Sequence, residues 1–235
     1  MAGSEHTSKQ FDAELEAVRA LVLQMGGLVE KQIRLAIESL VNGDVALMNR
    51  VIADDHRVNA LEVEIDENCN RILVRRQPAA GDLRMVMTVI KTITDLERIG
   101  DEAEKIARMA KLISQKERLN LPRYHEIKHA AEIALDMLRK SLDAFARLDL
   151  TIAVQVVRQD DQVDEEFRAI MRYLITFMME DPRTISTSLE ILFVAKAIER
   201  IGDHAKNMSE YVVYMVKGRD VRHVTVEEIE REVLE

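Results

Sequence analysis

One pentapeptide constrains this chain more than any other feature: Glu-Arg-Ile-Gly-Asp stands at Glu97–Asp101 in the first half and returns at Glu199–Asp203 in the second. Residues four apart on a helix stack one turn above each other on one face, so Glu97 with Asp101, and Glu199 with Asp203, form stacked carboxylate pairs. Like charges at that spacing repel unless a cation or a donor lies between them. The glycine adds a second anomaly. Inside a helix it costs about 1 kcal/mol relative to alanine, and the sequence accepts that cost at Gly100 and again at Gly202. Something is expected to approach the backbone closely at both places.

The pattern around these motifs is helical throughout. From Phe11 the apolar positions Leu15, Val18, Val22, Met25 and Val29 recur at threes and fours, the spacing of a long amphipathic helix that should end near Asn42-Gly43. The Gly26-Gly27 pair inside it predicts a bend or a close helix contact. A second helix is expected from Asp44 to about Arg76, stopped by Gln77-Pro78, and a third from Gly81-Asp82 to about Gln115 with Asp82 as N-cap. Asn120-Leu121-Pro122 reads as a linker, after which the pattern begins again. Helices then run from about Tyr124 to Arg147, from Asp149 to the break at Asp181-Pro182, and from about Ile185 to Val216, where Lys217-Gly218 ends the last.

In this register Asn42-Gly43-Asp44 aligns with Arg147-Leu148-Asp149, Asp55 with Asp160, and Asn59 with Asp164. Each second helix of a half carries an aspartate on its largely apolar seam: Asp55 in the stripe Val51, Asp55, Val58, Glu62, Ile65, and Asp160 in the stripe Val156, Asp160, Val163, Phe167, Ile170. The expected fold is all-α, with six long helices in two tandem three-helix bundles: residues 10–117, residues 122–218, and a polar, then acidic tail over 219–235. Eight glycines, three prolines and no tryptophan suit helices packed on helices with few tight turns.

Charge and cysteine usage narrow the chemistry. A formal net charge of −9 without clustered Lys and Arg argues against nucleic acid and suits cations. The single cysteine, Cys69, excludes an internal disulfide framework and is expected to be a small core residue in a reducing cytosol. No apolar stretch is long enough to cross a bilayer, so membrane association is expected to be peripheral.

Glu97 and Glu199 continue apolar lines on their helices, and burying ionised carboxylates costs several kcal/mol each unless they are paired or hold a metal. Each half can offer four oxygen-bearing side chains on two neighbouring helices: Asp55, Asn59, Glu97 and Asp101, then Asp160, Asp164, Glu199 and Asp203. Such sets suit divalent or trivalent hard cations such as Mg2+, Mn2+, Ca2+ or iron, with Zn2+ also admitted. The alternative is a solvated carboxylate face, or ion pairs with Arg98 and Arg200. With Asn59 facing Asp164, the first set has one fewer formal carboxylate and is expected to be the weaker.

A metal-dependent oxidase or a metal-storage bundle is the competing function. Di-metal carboxylate bundles of that kind place Glu-x-x-His on two helices, and the only match, Glu126-Ile127-Lys128-His129, has no second copy. His204 stands where the first half has Glu102 and is expected to be solvated. No nucleophile stands near an identifiable base and no phosphate-binding glycine loop is present, so no catalytic constellation is found.

Both copies of Glu-Arg-Ile-Gly-Asp, the run Arg76-Gln-Pro-Ala-Ala-Gly-Asp-Leu-Arg-Met-Val-Met87, the run Ala144-Phe-Ala-Arg-Leu-Asp149 and Val216-Lys-Gly-Arg-Asp220 closely resemble the PhoU family of bacterial phosphate-transport accessory and regulatory proteins. The likeness extends from about Phe11 to about Val224. The resemblance implies two three-helix bundles, multinuclear metal clusters at the acidic motifs, and a homodimer. It also implies a cytoplasmic, non-enzymatic negative regulator of the phosphate-starvation response that modulates phosphate uptake. Its implied partners are the phosphate ABC transporter, through the ATPase PstB, and the sensor histidine kinase PhoR.

Overall fold

The computed structural model describes residues 9–115 and 124–234; the linker expected at Asn120-Leu121-Pro122 lies outside them. The helices are α1 (Lys9–Asn42), α2 (Val45–Asp54), α3 (His56–Arg76), α4 (Ala80–Ser114), α5 (Tyr124–Arg147), α6 (Leu150–Glu180), α7 (Ile185–Lys217) and α8 (Val226–Leu234), with a 3-10 turn at Pro182–Thr184. Among the described residues there is no strand.

Local chemistry sets most of the boundaries. Asp44 caps α2 by accepting from the Leu47 amide at 3.0 Å, and its counterpart Asp149 caps α6 by accepting from the Thr151 and Ile152 amides at 2.8 and 3.1 Å. The residue before each cap is left-handed, Gly43 at φ 67° and Leu148 at φ 56°. Leu148 holds there despite the roughly 1–2 kcal/mol such a conformation costs an L-residue, so the turn geometry is duplicated even where glycine is not. Gly218 ends α7 at φ 77°, its amide donating to the Tyr214 carbonyl at 2.8 Å.

Two sequence expectations are corrected. The helix expected from Asp44 to Arg76 is interrupted at Asp55, whose dihedrals stay helical while the Val58 amide turns to the Asp55 carbonyl at 2.9 Å, a tightened i to i+3 turn. The cap of α4 is Ala79, and Asp82 lies in the first turn. Past Val224 the tail forms α8, which packs on α6, buries Ile229 and pairs Glu230 with Arg158.

The helices pack as two three-helix units, α1 with α2/α3 and α4, and α5 with α6 and α7, and the units meet along α4–α7 and α1–α5. Both contacts are antiparallel. Along one, Arg84 reaches the Met215 carbonyl, Lys91 lies over the rings of Tyr211 and Tyr214, and Arg200 pairs with Glu102. Along the other, Arg19 donates to the Ala146 carbonyl and Arg139 pairs with Glu30. Helices α1, α4, α5 and α7 thus form a four-helix middle inside one continuous apolar core. Gly26 allows α1 and α5 to approach, since a Cβ there would lie 2.5 Å from Leu142 Cδ2. Cys69 is buried in the core, and burial pushes its thiol up to about 12.

Candidate metal centres

The first set forms between α3 and α4, roofed by α1. Asp55 is buried; Gln32 Nε2 donates to its Oδ1 at 3.4 Å and Asn59 Nδ2 to its Oδ2 at 3.3 Å. Glu97 is half-buried, whereas Asp101 and Asn59 are exposed. Burial pushes the Asp55 carboxyl above its usual range, and the charge of Glu104 adds to it. Glu97 is raised by burial and then by Asp101, Glu62 and Asp55. Asp101 is raised by burial and then by Asp55, Glu104 and Glu102. These shifts share a cause: five carboxylates, Asp55, Glu62, Glu97, Asp101 and Glu104, crowd one half-buried face.

Sequence reasoning missed Glu62, Glu104 and Gln32. The first two carried a readable signal, because Glu62 follows Asp55 by one heptad on its helix seam and Glu104 follows Glu97 by one heptad on its own. Gln32 carried none, since only the fold brings α1 over Asp55.

The second set forms between α6 and α7. Asp160 is buried and accepts from Lys206 Nζ at 2.7 Å. Asp164 accepts from Arg168 Nη2 at 2.8 Å, and Glu199 pairs with Lys196. Burial, followed by the charges of Glu199 and Asp160, pushes Asp203 up to about 6. Lys206 stands where the first half has Glu104, and Phe167 where it has Glu62. The second set is therefore the less acidic, which reverses the ranking drawn from Asn59 alone.

Lysines and arginines pair with Asp160, Asp164, Glu199 and Glu104, but the motif arginines Arg98 and Arg200 do not neutralise Glu97, Asp101 or Asp203. Arg200 Nε turns away to Glu102 Oε1 at 3.0 Å, across the seam between the two units. Exposed Arg98 lowers Glu97 less than burial and the neighbouring acids raise it. One buried oxygen in each set, Gln32 Oε1 and Glu199 Oε2, has no hydrogen-bond partner among the described residues. Among those residues, too, no three His, Cys, Asp or Glu side chains stand ready-gathered as a metal site. Oxygen donors, mutual repulsion and orphaned acceptors fit a hard cation toward which these side chains would turn.

The glycines serve packing. A Cβ on Gly100 would lie 3.3 Å from Val58 Cγ1, 3.4 Å from Gln32 Oε1 and 3.5 Å from Asp55 Oδ1, and one on Gly202 would lie 3.5 Å from Val163 Cγ1. What approaches each backbone is the aligned valine of the neighbouring helix. His204 is likewise corrected: it is 6% exposed rather than solvated, and bonded to Asp95 of the other unit. His129 of the Glu-x-x-His match is more than half exposed, 3.8 Å from Glu166.

The sequence model described as the PhoU domain matches residues 22–110 and 127–212. The phosphate-specific transport system accessory protein PhoU homolog of Pseudomonas putida is 48% identical over 231 residues, 98% of this chain and 90% of the relative. The phosphate-specific transport system accessory protein PhoU of Escherichia coli K12 is 47% identical over 228 residues, 97% of this chain and 94% of the relative. The crystal structure of PhoU from Pseudomonas aeruginosa superposes with a TM-score of 0.86 at 47% identity, covering 89% of this chain and 100% of that one. The phosphate transport system regulatory protein PhoU from Streptococcus pneumoniae superposes with a TM-score of 0.83 at 28% identity, covering 90% and 99%.

Proposed function

The chain belongs to the PhoU family, and on that premise we propose that it is a negative regulator of the phosphate-starvation response. It is an accessory protein of phosphate-specific transport and not an enzyme. In the proposed role it works in the cytoplasm as a homodimer that links the phosphate ABC transporter, through PstB, to the sensor kinase PhoR, and it restrains phosphate uptake. The observation that carries this reading is the match over nearly the whole chain to accessory proteins of phosphate-specific transport. No helix among the described residues is long and apolar enough to cross a membrane.

An adaptor acts by binding one state of a partner better than another, so its loss should release the kinase from the transporter's signal. A starvation-gene reporter in a strain lacking this gene should stay on in phosphate-rich medium and fall silent when the kinase is also removed. A reporter silent in the single deletion, or still on in the double deletion, overturns the proposal.

The metal assignment belongs to the same proposal. Asp55, Asn59, Glu97 and Asp101 with Glu62 and Glu104, and Asp160, Asp164, Glu199 and Asp203, would hold hard cations of the Mg2+, Mn2+ or iron type. A bound cation supplies positive charge that relieves the repulsion among these carboxylates. The oxidase alternative lacks its ligand set, because the one Glu-x-x-His match stands at a largely exposed histidine.

A further inference from the structure

A cleft of about 600 Å3 lies between α7 and the segment that follows Gly218. Four cationic side chains line it, Lys196, Arg200 and Lys206 from α7 and Arg222 from the segment. Three acceptors line it as well, Asp203, Glu210 and the imidazole of His204. We propose that this cleft binds free orthophosphate as hydrogen phosphate, the dianion that keeps one P–OH hydrogen.

The cations are held in place from behind. Lys196 pairs with Glu199, Arg200 with Glu102, Lys206 with Asp160 and Arg222 with Asp220. An ammonium has three donors and a guanidinium five, so each group keeps N–H donors beyond those it gives its carboxylate. Anchored cations with spare donors are suited to a multidentate oxyanion.

The acceptors give the site its selectivity. His204 Nδ1 faces the Asp95 carboxylate as a donor, so a neutral imidazole offers Nε2 as a lone-pair acceptor, and that atom is buried without a partner among the described residues. A carboxylate or an imidazole lone pair lining an anion site repels an oxyanion that has no hydrogen and accepts from one that does. Hydrogen phosphate has such a hydrogen and sulfate, at the same charge, has none.

The cleft is a departure from the internal duplication. Lys196 and Lys206 replace Thr94 and Glu104, His204 replaces Glu102, and Arg222 comes from a segment beyond the repeat. One repeat has thus acquired a lining that the other lacks.

The test is calorimetric titration of the full-length chain at pH 8 with orthophosphate, with sulfate, and with AMP, whose phosphomonoester is fully ionised at that pH and carries no P–OH hydrogen, repeated on Arg222→Gln. Arg222 gives its side-chain hydrogen bonds to Asp220 and touches neither carboxylate set, so the variant leaves the fold and the metal candidates intact. Orthophosphate should bind, and AMP at least tenfold more weakly. Sulfate should bind at least tenfold more weakly, and Arg222→Gln should weaken the phosphate ligand about tenfold or more, the size of a lost charged hydrogen bond. No binding of orthophosphate, equal binding of sulfate or AMP, or unchanged affinity in Arg222→Gln would each overturn the proposal. None of these readings depends on the regulatory role.

Discussion

Asp95 on α4 and His204 on α7 meet across the seam between the two halves, with Nδ1 2.7 Å from Oδ1 and both side chains buried. Asn207 adds a weaker donor to the same oxygen at 3.4 Å, and Lys91 caps the neighbouring Tyr211 ring. Burial pushes the Tyr211 hydroxyl far above its usual range, with the Asp95 charge adding to the shift. The seam therefore carries a polar network inside an otherwise apolar four-helix middle, and its register depends on that network being complete.

Removing one member of a buried pair leaves the other uncompensated, at a cost of about 3–5 kcal/mol. His204→Ala should lower stability by an amount of that order, while Asp95→Asn, which still offers an oxygen to the imidazole N–H, should cost much less. Urea unfolding midpoints of the two variants decide the matter. Equal losses would mean that the contact only fills space.

The two motif glycines should respond differently to a methyl group. At Gly202 the added Cβ meets Val163 at ordinary contact distance, so Gly202→Ala should gain up to about 1 kcal/mol of helix propensity. At Gly100 the 3.3 and 3.4 Å approaches of Val58 and Gln32 are tight, and Gly100→Ala should be the less stable of the two. Gly202→Leu should lose about 1–3 kcal/mol through overpacking against Val163. Thermal melts of the three variants would show it, and a Gly202→Leu protein as stable as the parent would refute close packing there.

Much of this fold is written in local pattern. The 3.6-residue period, the Asp44 and Asp149 caps and the stop at Gly218 each act within a few residues, so the sequence displays them. The break at Asp55 leaves no such mark, because the residue keeps helical dihedrals. Helix α8 was hidden by its charges: a short acidic stretch reads as solvated unless one knows that Ile229 and Val221 find apolar cover. The acidic pairs were legible as pairs, while the roles of Gln32, Asp95, His204 and Lys206 were not. Each of these polar side chains has its partner on a different helix, and periodicity along one helix carries no information about that.

The asymmetry between the carboxylate sets predicts an order of metal loss. The first face gathers five acids, of which Glu104 is paired with Arg108, whereas the second has four and Lys206 pairs with the buried Asp160. Asp203→Asn, which leaves the first set intact, should therefore retain more metal through graded chelation than Asp101→Asn, which leaves the second. Lys206→Gln should strengthen the second set. Elemental analysis after each chelation step reads both effects, and a reversed order between the two Asn variants would return the ranking to the one that Asn59 suggests.

Acid should stabilise the metal-free protein over a window in which it weakens most proteins. A carboxylate whose pKa is raised by folding binds its proton more tightly in the folded chain, so stability falls as pH rises from the unfolded to the folded value. For Asp203 that window runs from 3.8 to about 6, and for Glu210, raised by burial, from 4.5 to about 7. Asp55, Glu62, Glu97 and Asp101 shift in the same direction. Groups of the opposite sign act lower: Asp220, held down to about 2 by its bond to Arg222, loses its contribution only as pH falls toward that value. The chelated protein should consequently melt a few degrees higher at pH 5.5 than at pH 8. Adding Mg2+ or Mn2+ at pH 8 should close the gap, because a cation favours the ionised carboxylates that the bare protein finds costly. If the chelated protein melts no higher at pH 5.5, the crowding of these acids does not limit its stability, and the physical case for a cation at the two motifs loses its main support.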